Sequence, residues 1–454
     1  MSSFTGQRWI VVGLGVSGHA AARALLESGA EVYVTEASRN EEIEARADLL
    51  RAAGARVETG GHDLDAISAS EYACVSPGVP PQSDIGRALH DAGVDVIGEV
   101  ELAWRLGSCD FLAVTGTNGK TTTTALLAGM LEASGVPSVA AGNIGLPLVE
   151  AVRSIPAGGA IAVEVSSFQL ATIRDFRPRV AVILNVAEDH TDWHGSFDAY
   201  ARAKARLVMN QRSEDFCVAN LDDDIAIGIA RGGQARVVGF SAVRSVPQGA
   251  CVEEGWITWR QRPLLPAGDV RLAGGAGIED VLAAASAALS YGVGPNVVSR
   301  AIRSFEPLPH RMEVVGRIDG VTYIDDSKAT NPHAALGAVR GLRDVVLIAG
   351  GRAKGIDLSP LRAAVPPVQG VVAIGEASNL VRTLFEGIVP VVQAGSMEDA
   401  VTRARDMARP GGSVLLSPGC ASLDMYENYA ARGMHFARLV RELDGTEGRS
   451  HSHA

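Results

Sequence analysis

The sequence predicts an α/β protein of three segments. Three observations predict it: strand-length apolar runs alternate with helical stretches, glycine-rich turns directly follow two of those runs, and the alternation restarts after breaks near residues 98 and 307. At 454 residues the chain is too long for one core and long enough for about three domains. With 47% hydrophobic and 20% charged residues it can bury a large core. The formal net charge of −11 argues against a general binder of nucleic acid or anionic membrane, which would carry surplus Lys and Arg. Five cysteines show no CxxC pair or metal spacing and read as small core residues in a reducing cytosol. There is no apolar run of 18 residues and no leader-type N-terminus, so a cytoplasmic location without membrane insertion is expected. No long apolar surface stripe stands out, which favours a monomer.

The first segment, residues 1–98, opens with strand "RWIVV", a glycine turn, helix "VSGHAAARALLESG" and strand "EVYVTE". Gly29 is placed to end the helix and Glu36 to end the second strand. The turn Gly13-Leu14-Gly15-Val16-Ser17-Gly18 has the form that lays a diphosphate on a helix N-terminus, with Glu36 as the ribose partner, and marks a Rossmann-like unit. By itself this turn suits NAD or another diphosphate. "ACVSPGVPP" continues as a strand running into a Pro/Gly loop, and "DVIGEVELAWRL" leads away.

The second segment, residues 99–307, carries "FLAVTGTNGKTTTTALL", a buried strand, a turn and a helix start. In Gly116-Thr117-Asn118-Gly119-Lys120-Thr121-Thr122 the backbone amides and the helix N-terminus would face a phosphate. Lys120 would neutralise β- and γ-phosphate oxygens, and Thr121 can offer its hydroxyl to Mg²⁺. The usual P-loop wants a glycine where this chain has Val114. Leu126, Leu127, Met130 and Leu131 mark one buried helix face. "AIAVEV" and "VAVILNV" are near-continuous apolar runs, as in parallel strands covered on both faces, giving a P-loop-type, ATPase-like parallel sheet. Glu164 and Asp189-His190 stand at the ends of these strands, where a carboxylate is a natural Mg²⁺ ligand. Lys204, in "DAYARAKARLV", reads on its own pattern as a solvated helix lysine. Residues 236–273 turn to short strands, "EDVLAAASAALSYG" reads as a helix, and "SFEPLPHRMEVV" looks like a boundary.

The third segment, residues 308–454, alternates again through "VVLIAGG", "VVAIGE", "PVVQAG" and "SVLLSPG", a second Rossmann-like sheet. Three polar stretches, "DDSKATNP", "GGRAKGID" and "SPGCASLDMYENYAARG", are expected at one rim of that sheet and read together as a site. The tail "DGTEGRSHSHA" is polar and expected to fray.

These stretches together resemble the Mur ligase family of ATP-dependent amide ligases, and most closely its glutamate-adding members. The likeness rests on "GLGVSG", "SPGVP", "TGTNGKTTT", "GNIGLP", "EVSSFQL", "ILNVAEDHTDWHG", "YARAKARL", "LPHRMEVV", "DDSKATN" and "LLSPGCASLDMYENYAARG", in family order. The family's ATP loop does not need the distal glycine, so Val114 is no defect. The first glycine turn, by the same resemblance, holds a UDP diphosphate rather than NAD.

The resemblance implies roles position by position. Val16, Ser17, Glu36 and Gly78 would line the UDP site, and Asn143, Ser166, Gln169 and His190 the muramoyl-alanine part. Lys120, Thr121 and Glu164 would manage the γ-phosphate and Mg²⁺, with His190 near a second ion. Lys204 matches the lysine that takes up CO₂ as a carbamate. His310, Arg311 and Asp326 would touch ATP, and Lys328 the reacting centre. Thr330, Lys354, Ser422, Leu423 and Tyr429 would receive glutamate. The implied reaction passes through an acyl phosphate of UDP-N-acetylmuramoyl-L-alanine, with closure of the third domain onto the second before chemistry. Addition of another amino acid, L-glutamate included, and an NAD-dependent oxidoreductase stay open at this point. Three departures stand out. Ala276-Gly277 and Asp280 replace a His-Asn-x-x-Asn pattern, leaving backbone groups or Asp280 to hold adenine. Tyr429 stands where phenylalanine is common, and "GGRAKG" lacks an acidic-glycine form but keeps its lysine.

Overall fold

The first five strands are β1 (Arg8–Val12), β2 (Glu31–Glu36), β3 (Arg56–Thr59), β4 (Tyr72–Val75) and β5 (Asp95–Gly98). All neighbours pair in parallel, in the order β3-β2-β1-β4-β5. β1 is buried from Trp9 to Val12, as a central strand covered on both faces must be. The strand order reverses between β1 and β4, so the turns that follow them diverge and open a crevice at the sheet's C-terminal edge. The structure, a computed structural model, describes residues 4–272 and 274–450.

The second sheet contains β6 (Asp110–Thr115), β7 (Ser138–Gly142), β8 (Ala160–Glu164), β9 (Val180–Ile183), β10 (Phe216–Asn220) and β11 (Arg236–Ser241). It continues through β12 (Ala250–Glu253), β13 (Trp256–Trp259) and β14 (Arg262–Pro266), in the order β14-β13-β12-β11-β10-β9-β6-β8-β7. β9, β6 and β8 are parallel neighbours, so the turns after them share one edge. The helix Lys120–Ala133 packs down through Leu126, Leu127, Met130 and Leu131, each at most 2% exposed. Burying each such side chain is worth roughly 1.5–3 kcal/mol. One apolar core runs from Leu14 and Leu25 beside the first sheet through Val100 and Leu102 to Phe111 of β6 and Phe176 before β9. Glu101 fastens the junction by accepting the amides of Arg174, Asp175 and Phe176.

The third sheet is β15 (Glu313–Ile318), β16 (Val321–Asp325), β17 (Val345–Gly350), β18 (Val368–Ile374), β19 (Val391–Ala394) and β20 (Ser413–Leu416), in the order β15-β16-β20-β17-β18-β19. β15 and β16 form an antiparallel hairpin, and the other pairings are parallel. The sequence pattern begins this sheet only at "VVLIAGG". It misses the hairpin because a bulge between Val314 and Gly316 interrupts the alternation of β15. Two compact units result: Met1–Leu265 with Val281–Ile302, and Pro266–Asp280 with Arg303–Ala454. All five cysteines are buried and free, as core residues should be. The last helix runs Tyr429–Ser450, so the tail expected to fray is helical that far, and its last four residues lie outside the described residues. Among the described residues no helix is long and apolar enough to cross a membrane.

Candidate active site

In the first unit, the glycine turn after β1 leads straight into a helix N-terminus. The helix Val16–Glu27 starts at Gly15 with no side-chain cap, so its first amides are open to a ligand. Glycine is required here: a Cβ on Gly13 would strike the Ser76 hydroxyl at 2.5 Å, and one on Gly18 would run into the Gly13 carbonyl. Ser76 Oγ is itself buried and without a hydrogen-bond partner. Val16 is exposed on the rim, and Gly78 stands in open space in the turn after β4. Glu36 shapes the turn as well as bordering it. Its Oε2 accepts the Leu14 amide at 2.7 Å and its Oε1 the Ser38 amide at 2.8 Å.

The second phosphate-type turn follows β6. Asn185, just beyond β9, accepts the amides of Thr117 and Asn118 at 3.1 and 2.9 Å and donates to the Asn118 carbonyl. Thr117 Oγ1 donates to Ala187 and shares a 3.0 Å bond with the Tyr200 hydroxyl. Lys120 Nζ donates to the Gly116 and Thr117 carbonyls at 2.9 Å, and Lys204 Nζ reaches the same Gly116 carbonyl at 2.7 Å. Lys204 is only 1% exposed, which corrects its reading as a solvated helix lysine. Burial holds its amine well below the ordinary lysine range, and the Lys120 charge pushes the same way.

Beside this turn, Glu164 ends β8 and is 2% exposed. Its Oε1 accepts from Asn143 Nδ2 at 2.8 Å, while Oε2 is buried with no hydrogen-bond partner. Ser166 and Gln169 form a reciprocal capping box at the start of the helix Ser167–Leu170, which fixes both side chains. His190 packs its ring 4.7 Å from Phe168 and holds a left-handed backbone, φ 51°.

In the second unit the turns after β16, β17 and β20 share one edge, because β20 lies between the other two and is parallel to both. The three polar stretches therefore meet as the sequence expects. Asp326 accepts from Ser417 Oγ at 2.8 Å and from the Met312 amide at 3.3 Å; burial pushes its carboxyl up to about 7. His310 Nδ1 lies 2.7 Å from Asp325 Oδ2. Lys328 Nζ sits 3.9 Å from the centre of the Tyr429 ring. Ser422 is buried, Leu423 half exposed and Lys354 exposed, and Thr330 lies part-buried in the same turn as Lys328. His310, Met312 and Lys354 hold left-handed φ of 61°, 50° and 53°, a conformation that clusters at functional sites.

Arg432 organises this rim. It is 3% exposed, and its guanidinium donates to Ser327 Oγ and carbonyl at 2.9 and 2.8 Å and to the Cys420 carbonyl at 3.2 Å. The turn at Gly351 must stay bare, since a Cβ there would meet the Ala421 carbonyl.

Family models match all three segments: the Mur ligase MurD-like N-terminal domain over residues 7–98, the Mur ligase middle domain over 114–248 and the Mur ligase glutamate ligase domain over 310–420. The chain belongs to the Mur ligase family. It is 41% identical over 443 residues to a curated protein of Acidobacterium capsulatum named UDP-N-acetylmuramoylalanine–D-glutamate ligase, covering 96% of each chain. A relative of the same name in Frankia casuarinae is 43% identical, over 98% of this chain and 96% of its own. Among solved structures, a pseudomurein peptide ligase type C from Methanothermus fervidus shares the fold at a TM-score of 0.60 and 17% identity, covering 96% of this chain and 100% of that one. A MurF ligase from Thermotoga maritima, solved with ADP, does so at 0.58 and 15%, covering 97% and 99%.

Asn185, Ser76 and Arg432, which shape the turns described above, escaped the sequence reading. Asn185 follows an apolar strand as one polar residue among several. Ser76 looks like ordinary turn chemistry. Arg432 lies in a helix where an arginine reads as solvated.

Proposed function

We propose that this Mur ligase forms the amide bond between the alanyl carboxylate of UDP-N-acetylmuramoyl-L-alanine and the amine of D-glutamate, converting ATP to ADP and phosphate. The end-to-end likeness to ligases named for that reaction carries the reading. The alanyl carboxylate attacks the γ-phosphorus, ADP leaves and an acyl phosphate forms. The neutral amine of glutamate attacks the acyl carbon, and phosphate departs from the tetrahedral intermediate as the amine proton is lost.

The residues divide this work. Residues 1–98 receive the UDP end, through Val16, Ser17, Glu36 and Gly78. Asn143, Ser166, Gln169 and His190 hold the muramoyl-alanine part. Lys120 and the amides of residues 116–122 draw charge from the phosphoryl oxygens. The orphaned Glu164 oxygen fits a hard cation. Glu164 and the Thr121 hydroxyl would hold one Mg²⁺, and His190 with a carbamate on Lys204 a second. When bound, these ions neutralise charge on the phosphoryl group being transferred. The depressed basicity of Lys204 supports the carbamate, because only a neutral amine attacks CO₂. The nitrogen bonds the carbon, the amine proton leaves to solvent, and an anion replaces the amine. His310, Arg311 and Asp326 serve ATP, and Lys328 the reacting centre. Thr330, Lys354, Ser422, Leu423 and Tyr429 take the amino acid. The enzyme works as a cytoplasmic monomer, in keeping with five unpaired cysteines.

An amino-acid panel containing both isomers of glutamate tests the assignment. Phosphate release should require ATP, the UDP substrate and D-glutamate together, with no change in nicotinamide absorbance when NAD is added. Release that L-glutamate or alanine supports equally well would remove the proposed acceptor.

Lys354→Ala should raise the KM for glutamate far more than that for ATP or the UDP substrate. A charge-assisted contact is worth roughly 1.5–3 kcal/mol, or about 10- to 150-fold. Lys354→Arg should rescue only in part, since a planar guanidinium is not a point-like ammonium. An unchanged glutamate KM in Lys354→Ala would take this residue out of the acceptor pocket.

A further inference from the structure

Glu99 has no part in the reaction described above, yet it is 2% exposed in the interior of the first unit. It opens the helix Glu99–Leu106, and its Oε1 accepts the Val149 amide at 3.1 Å. The Leu148 amide bonds the same carboxyl. Leu148 and Val149 begin the helix Leu148–Ser154, directly after the turn that carries Asn143, whose amide grips Glu164. On the other side the Ser17 hydroxyl faces the carboxyl from the helix that follows the diphosphate turn. Oε2 is buried and has no hydrogen-bond partner.

We propose that Glu99 is a positioning residue that ties the diphosphate turn at Ser17 to the turn carrying Asn143. The proposal rests on the assignment of the UDP substrate to the first sheet. A buried carboxylate oxygen without a donor is costly, and a proton on it removes the cost. Burial raises the Glu99 carboxyl to about 7, against the amides of Val149 and Leu148 and the Ser17 hydroxyl. Glu150, on the helix Leu148–Ser154, adds like charge. Cys74 of β4 faces it with a thiol that burial keeps neutral. From the helix Val16–Glu27, Arg23 lies 3.9 Å from Glu150, and burial, with the Arg23 charge, holds His19 below its usual range.

A substrate diphosphate at Ser17 disfavours the ionised form further, so binding draws in a proton. Glu99 has its folded value raised above that of a free carboxyl. Substrate affinity is therefore highest below about pH 7 and falls as pH rises through it. If binding raises the Glu99 value by one further unit, affinity is about fivefold weaker at pH 8 than at pH 6. The diphosphate diester and carboxylate of UDP-N-acetylmuramoyl-L-alanine hold no proton of their own in that range.

Calorimetry with this substrate at pH 6 and pH 8, in two buffers of different ionisation enthalpy, tests the proposal on the full chain. The unaltered enzyme should take up part of a proton and bind about fivefold more weakly at pH 8. Glu99→Gln, a neutral group of the same shape, should take up none and bind alike at both values. Glu99→Ala, which removes the link, should bind more weakly at both. If Glu99→Ala does not fold, the comparison of Glu99→Gln with the unaltered enzyme still decides. Proton uptake and pH dependence retained in Glu99→Gln would overturn the proposal. No binding by the unaltered enzyme at either pH would instead remove the UDP assignment beneath it.

Discussion

Replacing Lys120 with alanine should abolish turnover while leaving binding of the UDP substrate nearly intact. The ammonium stands at the start of the helix Lys120–Ala133, bonded to two carbonyls of the turn that would receive the phosphates. A preorganised charge aimed at a transferring phosphoryl group is worth on the order of a thousandfold or more in rate. The diphosphate turn belongs to a different sheet, after β1, and its glycines and helix amides owe nothing to Lys120. Phosphate release and substrate calorimetry on the same variant separate the two effects. A loss of UDP-substrate affinity as severe as the loss of rate would show that the two glycine turns do not divide the work in this way.

Lys204→Ala should lower the rate by about a hundredfold or more, the scale of losing a group that orders a metal site. Added formate or acetate should restore part of it by supplying the carbamate oxygens. Burial and the nearby Lys120 charge hold the Lys204 amine well below the ordinary lysine range, the direction that favours reaction with CO₂. The unaltered enzyme should therefore slow when CO₂ is stripped from the buffer and recover when bicarbonate is returned. A Lys204→Ala enzyme of near-normal activity in CO₂-depleted buffer would leave the lysine a purely packed residue.

Much of this was legible in the residues. The continuous apolar runs of β6, β8 and β9 leave a parallel strand little alternative; β6 runs into the glycine turn and β8 ends on Glu164, whereas β9 stops at Ile183, short of the strand end expected at Asp189-His190. The glycine pair after β17 and the polar turn after β16 announced a rim before any pairing was visible. Lys204 marks the limit of pattern reading. Helical spacing alone points it at solvent, and only the family likeness of "YARAKARL" assigned it a function. Its burial depends on Tyr200 and on the carbonyl of Gly116, 88 residues away in the chain. Asn185, Arg432 and Glu99 escaped for the same reason. Each acts by reaching a distant backbone group, and one sequence carries no mark of which turn folds back onto which.

The bonds from Lys120 to the Gly116 and Thr117 carbonyls have a consequence for nucleotide selection. The turn acts as its own placeholder: its cation is already satisfied by internal acceptors. An arriving phosphate must therefore displace them, and the affinity it gains is a difference between two sets of bonds. A polyphosphate could replace both carbonyls while its other oxygens meet the helix amides. If this turn receives the nucleotide, selectivity for a triphosphate would begin as a displacement threshold, set by the resting turn before any base is read.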